Sequence, residues 1–192
     1  MSILLLGLIV FLGVHSVRIV AEDWRTRTIA SRGVGAWKGM YSALSVVGLG
    51  LVVWGYGLAR QEPVILWSPP MGMRHAASLL TLVAFVLLTA AYVPRNALRL
   101  RLRHPMVLGV KAWALAHLLS NGSLADLLLF GSFLVWAVLS FRAARQRDRQ
   151  ASPAVVSTSA LATGLTLVVG IGAWVVFALW LHGPLMGVRP FG

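Results

Sequence analysis

Five histidines hold most of the chemistry open to this chain: His15, His75, His104, His117 and His182. Cysteine is absent, which excludes disulfides, thiolate zinc, cysteine-ligated iron–sulfur clusters, a Cys nucleophile and c-type haem attachment. Asp and Glu together number five, too few to expect a carboxylate di-iron or di-manganese centre. His15 lies in the apolar run Leu12-Gly13-Val14-His15-Ser16-Val17-Arg18. His104, Lys111, Trp113 and His117 lie in the segment Arg103–Gly122. His104 and Lys111 are seven apart and share one helix face. His117, thirteen beyond His104, falls roughly 140° around the helix and about 20 Å further along, so the two histidines serve different surfaces. Polar groups inside a membrane helix are costly and point to function, which applies to Lys111 and His117. For His104, at the interface, a solvated or phosphate-contacting side chain is the competing reading.

Other arrangements carry less. His15-Ser16 places a base beside a hydroxyl, but neighbouring helix residues point about 100° apart and no acid lies at comparable depth to orient the imidazole. Gly33-Val34-Gly35-Ala36-Trp37-Lys38-Gly39 looks like a phosphate loop, yet no strand precedes it, and it reads as a loop entering a helix. His75 and His182 sit at the ends of apolar runs and receive no role.

The elements that must position these residues are membrane helices. The chain of 192 residues is 58% hydrophobic and 11% charged, with a mean hydropathy of +0.82. Soluble domains carry about a quarter charged residues, so a soluble enzyme, a disordered chain and collagen are all excluded. Six stretches approach the roughly 20 residues that span a bilayer: Ser2–Val20, Met40–Ala59, His75–Val93, Pro105–Leu119, Leu124–Phe141 and Val155–Leu181. The expected fold is an all-α polytopic membrane protein, a bundle of six transmembrane helices forming one domain over residues 1–192. The fourth stretch is short. A small-residue pattern in Gly48, Gly50, Gly55 and Gly57 favours close helix packing. Asn121-Gly122 signals a tight turn. The N-terminus has neither a basic n-region nor a small-residue cleavage site, so the first helix is expected to be retained.

The net charge of +12 is sorted by loop. Thirteen cations (Arg18, Arg25, Arg27, Arg32 and Lys38; Arg95, Arg99, Arg101 and Arg103; Arg142, Arg145, Arg147 and Arg149) fall on one side. Arg60, Arg74 and Arg189 fall on the other. The positive-inside rule makes the three rich loops cytoplasmic and places both termini outside. The charge thus reads as topology with contact to anionic membrane lipids, not as a nucleic-acid surface. The stretch Arg142–Arg149 reads as a solvated loop. With helix 1 running inward to about Trp24, His15 lies near mid-membrane. His117 lies about 18 Å from the inner face, so the two depths can match. Two readings stay open: a bis-His haem site, or two separate interhelical hydrogen bonds.

Through Gly13-Val14-His15-Ser16, Ala91-Tyr92-Val93-Pro94-Arg95-Asn96 and Arg103–Gly122, the chain resembles the NnrU family of bacterial inner-membrane proteins over nearly its whole length. That resemblance implies the inner membrane and a link to nitrite and nitric oxide reduction in denitrification. The same segment is similar to zeta-carotene isomerase, a haem b membrane protein, and implies iron binding by His15 and His117. Ala114 stands where the isomerase has a Cys. Arg103-His104-Pro105 resembles the S-adenosylmethionine motif of isoprenylcysteine-type methyltransferases, whose further acidic and basic residues have no counterpart after Arg149.

The expectation is a haem b protein with His15 and His117 as axial ligands. Arg18, Arg99, His104 and Lys111 would serve as propionate cations, and Trp113 and Phe11 as walls. Nitric oxide or a nitrogen-oxide reductase system would be its partner. The alternatives are a haem-dependent cis–trans isomerase of a carotenoid-like polyene, and a cofactor-free membrane assembly or transport partner.

Overall fold

A chain this apolar meets its backbone hydrogen bonds inside a bilayer by becoming helix. A computed structural model describes residues 1–150 and 157–191, and every regular element among them is helical. The elements are α1 (Ser2–Val20), α2 (Glu22–Ala59), α3 (Met73–Tyr92), α4 (Ala97–Leu102), α5 (Pro105–Ser120), α6 (Leu124–Gln150), α7 (Ala160–Val176) and α8 (His182–Met186). A π-helical stretch, Phe177–Leu181, joins the last two. Five helices among the described residues are long and apolar enough to cross a membrane: α1, α2, α3, α6 and the run Ala160–Met186. The expected count of six is therefore approximate. The fourth stretch is α5, whose 16 residues span about 24 Å against a hydrocarbon core of about 30 Å.

Three boundaries differ from expectation for identifiable reasons. The segment before Met40 is helical back to Glu22, because Glu22 and Asp23 in the first turn suit the positive end of the helix dipole. Gly33 alone breaks this helix, with φ 84° and ψ 157°, a backbone region essentially reserved for glycine. The Gly33–Gly39 stretch is thus a kink followed by helix, not a loop. The arms 22–32 and 34–59 fold together at this kink: Trp24 and Trp37, thirteen apart, bring their ring centroids within 5.6 Å. The basic stretch Arg142–Arg149 is likewise helical, and its Arg147 and Arg149 sit in the last turn of α6, where cations suit the negative helix end. The last membrane helix begins at Ala160, capped by Ser159, and the expected start at Val155 lies outside the described residues.

The chain folds as two compact units. The first comprises Met1–Ser68 and Gly122–Ala143, and the second Pro69–Asn121 with the described residues from Ala144 onward.

In the first unit α1 and α2 run antiparallel in close register. Leu4, Leu8, Phe11 and His15 recur at heptad-like spacing, so one face of α1 follows α2 for its whole length. Glycine makes this closeness possible. A β carbon on Gly7 would lie 2.5 Å from the Val52 nitrogen, and one on Gly48 would lie 2.7 Å from the Phe11 nitrogen. A β carbon on Gly55 would collide with the Leu4 backbone. Gly50 and Gly57, expected in the same stripe, have nothing within 4 Å. Between lipid and protein there is little hydrophobic drive, so such van der Waals contact is what joins the helices. The other face of α1 stays apolar and exposed, as at Leu6 and Ile9.

At one end of this unit the Val64–Trp67 strip pairs with the start of α6. Leu66 donates to the Gly122 carbonyl at 2.8 Å, and Leu124 donates to the Val64 carbonyl at 2.8 Å. Ser123 and Asp126 cap α6 reciprocally: Asp126 Oδ2 accepts from the Ser123 amide at 3.0 Å and hydroxyl at 2.6 Å, while the Asp126 amide donates to Ser123 Oγ at 3.2 Å. Tyr56 donates its hydroxyl to Asp126 Oδ1 at 2.5 Å.

In the second unit α3 packs against both α5 and α7. Gly109 approaches the Ala84 carbonyl and Gly170 the Val86 backbone. Trp174 donates its indole N–H to Thr81 Oγ1 at 3.0 Å. Asn96, fully buried, caps α4: its Oδ1 accepts from the Arg99 amide at 2.7 Å, and its Nδ2 donates to the Ala90 and Val93 carbonyls.

Candidate functional site

His15 occupies the contact face of α1, half-buried, one turn beyond Phe11. Its Nδ1 lies 2.7 Å from the Phe11 carbonyl oxygen. A carbonyl only accepts, so Nδ1 carries the hydrogen, and in the neutral ring the lone pair is on Nε2. The imidazole stacks on Phe11 with centroids 4.2 Å apart, meets Tyr41 of α2 at 5.1 Å, and meets Trp136 of α6 edge-on at 6.0 Å. Ser16 donates its hydroxyl to the Leu12 carbonyl at 2.6 Å.

His117 repeats the arrangement on α5 in the second unit. Its Nδ1 lies 2.8 Å from the Trp113 carbonyl oxygen, and the Trp113 ring stands 5.2 Å away. Each histidine therefore follows an aromatic residue by four positions, donates to that residue's carbonyl, and presents Nε2 as its basic nitrogen. Lys111 lies half-buried on the same helix.

Three of the cations named from the sequence have partners within the protein. Arg18 Nε lies 3.5 Å from Glu22 Oε2. Arg99 donates to the Ala91 carbonyl at 3.1 Å. His104 Nε2 lies 3.0 Å from Asp148 Oδ2. Arg103 and Arg145 approach the same oxygen at 3.7 and 3.8 Å. Desolvation works to raise the Asp148 carboxyl, but the His104 hydrogen bond and the charges of His104, Arg103 and Arg145 outweigh it and hold the group below its ordinary range. The chain's scarcity of acids could have singled out Asp148, since it is the one carboxylate inside the basic stretch 142–149.

Around His15 the structure adds residues that sequence reasoning missed. With Arg18, Arg25, Trp37, Lys38 and Tyr41, His15 lines a cavity of about 230 Å³. Arg25 pairs with Glu22 at 2.9 Å, and its guanidinium carbon lies 5.8 Å from the centroid of the Trp37 ring. Buried Trp136 Nε1 has no hydrogen-bond partner among the described residues. No group of three or more His, Cys, Asp and Glu residues suited to hold a metal ion occurs among the described residues.

The NnrU protein family matches residues 3–190, nearly the entire chain. The chain belongs to the NnrU family. No curated protein and no solved structure matches it. The NnrU match spans α1 and α5 alike, and so includes His15 and His117.

Proposed function

We propose that this NnrU-family membrane protein binds haem b, with His15 and His117 as axial ligands, in bacterial nitrite and nitric oxide reduction. The observation that supports this most is the shared imidazole geometry. Both rings hold Nδ1–H on a backbone carbonyl of their own helix, which fixes ring orientation and raises the basicity of Nε2, as metal-ligating histidines require. Phe11 and Trp113 supply apolar faces beside each ring. Arg18 beside His15, and Lys111 on the helix of His117, are the cations suited to propionates. Bound haem would supply one-electron chemistry and a site for nitric oxide wherever an axial position opens. The orientation that suits this reading puts the basic segments in the cytoplasm and both termini in the periplasm of the inner membrane.

A reduced-minus-oxidised spectrum of purified protein tests the proposal, with a pyridine assay for haem type. His15→Ala or His117→Ala should abolish the Soret band or shift it toward high spin, because two imidazoles make iron low spin and one does not. His75→Ala and His182→Ala should change nothing. A colourless protein after expression with ample haem would refute cofactor binding and leave the assembly or transport reading. An unchanged spectrum in the His15→Ala, His117→Ala double variant would refute the ligand assignment. Reporters fused after Gln150 should read cytoplasmic, and the reverse would overturn the orientation.

A second reading, a haem-dependent isomerase of a long apolar substrate, has one observation in its favour. An open groove of about 470 Å³ runs along α6 past Ser16, lined mostly by Leu127, Leu128, Val135, Trp136 and Leu139. Carotenoid turnover in a pigment-making host separates it from the first.

A further inference from the structure

The charges around the cavity beside His15 do not balance. From α1 it is lined by Arg18, from the 22–32 arm by Arg25, and from the 34–59 arm by Trp37, Lys38, Tyr41 and Ser42. Glu22 lies within ion-pair reach of both Arg18 and Arg25, and three cations but no carboxylate line the cavity itself. Glu22 Oε2 is buried and in no hydrogen bond. Lys38, the third of these cations, forms no ion pair or hydrogen bond among the described residues. The Gly33 kink builds this place, because folding the two arms together is what sets Arg25 over Trp37.

We propose that the cavity is a binding site for a phosphate-type oxyanion. Guanidinium groups offer paired donors that match the edge of such an anion, Lys38 adds a point charge, and the hydroxyls of Tyr41 and Ser42 add neutral donors. At about 230 Å³ the space lies below the roughly 300–1,000 Å³ of pockets that enclose a whole drug-sized ligand, so it takes a charged group and not a large molecule. Trp24, exposed and in contact with Trp37, marks this end of the unit as interfacial, the depth at which phospholipid phosphates lie. The phosphate of an anionic phospholipid and dissolved inorganic phosphate share the required chemistry. The site needs no iron: it shares Arg18 with the haem reading, while Arg25, Lys38, Tyr41 and Ser42 take no part in that reading.

Full-length protein purified in a neutral detergent provides the test. Native mass spectrometry compares retention of phosphatidylglycerol with phosphatidylcholine, and calorimetry follows titration with inorganic phosphate. Preferential phosphatidylglycerol retention identifies the lipid source, and saturable phosphate binding identifies the dissolved one. In either case Lys38→Gln should weaken binding about fivefold, the worth of one interfacial cation. Arg27→Gln, which removes an exposed cation that does not line the cavity, should leave binding unchanged. Equal retention of both lipids with no phosphate binding overturns the proposal. An equal loss in Arg27→Gln overturns it too, since bulk charge would then explain the effect. Loss of visible absorbance in Lys38→Gln would reassign the cation to a pigment and also overturn it.

Discussion

The two ends of the first unit are both polar, and they differ in whether their hydrogen bonds close. At the Asp126 end, a carboxylate 8% exposed accepts from Tyr56 and twice from Ser123, and the loop strip 64–67 pairs with the start of α6. At the His15 end, Lys38 lacks a partner among the described residues, Glu22 has an oxygen in no hydrogen bond, and a cavity opens between them. A closed network holds the chain, and an open one leaves its surplus for something that binds. Buried polar groups reward full satisfaction and penalise any shortfall, so the open end is where a ligand has most to gain.

The sharpest way to break the closed end is steric. Gly55→Leu should prevent α1 from seating and leave little folded protein, while Gly57→Leu, facing open space, should be tolerated; detergent-solubilised yield and thermal unfolding read both. Next comes Asp126→Ala, which strands the Tyr56 hydroxyl and the Ser123 amide and should cost about 2–3 kcal/mol in chemical unfolding. Tyr56→Phe removes one of those bonds and should cost about 0.6–1.7 kcal/mol, the range for a hydrogen bond between membrane helices. At the open end, Lys38→Gln should change stability by less than about 0.5 kcal/mol. A loss as large as that of Asp126→Ala would mean that this end is closed as well.

Much of this was legible in the chain because bilayer thickness imposes a length on every apolar run. Ser2–Val20 and the start of α6 at Leu124 could be read directly. The arm 22–32 could not, since its cations resemble a loop and only the interface, where charge is cheap, lets them sit on a helix. His15 and His117 stood out as polar residues in apolar surroundings, and the local aromatic-to-histidine spacing was present in the sequence. Tyr41 and Trp136 were not foreseeable beside His15, because their contact depends on a register between helices. The glycines teach the same lesson: Gly48 and Gly55 are indispensable contacts and Gly50 and Gly57 are not, although composition treats all four alike. Asp126 carried a readable signal in the Ser123-Leu124-Ala125-Asp126 capping pattern.

The π-helical stretch Phe177–Leu181 has an effect on phase. Trp174 before it and Phe177 at its start face α3 through Thr81 and Phe85. After it, the His182 ring meets that of Phe177 at 5.7 Å, a contact five positions apart that an ordinary α-turn would swing about 140° away. One surplus residue has been absorbed without disturbing the grip on α3. Deleting a single residue there would return the stretch to an ordinary α-turn and leave Trp174 and His182 each in its present phase; straightening it with every residue kept would instead turn everything from His182 onward by about 100° around the helix axis.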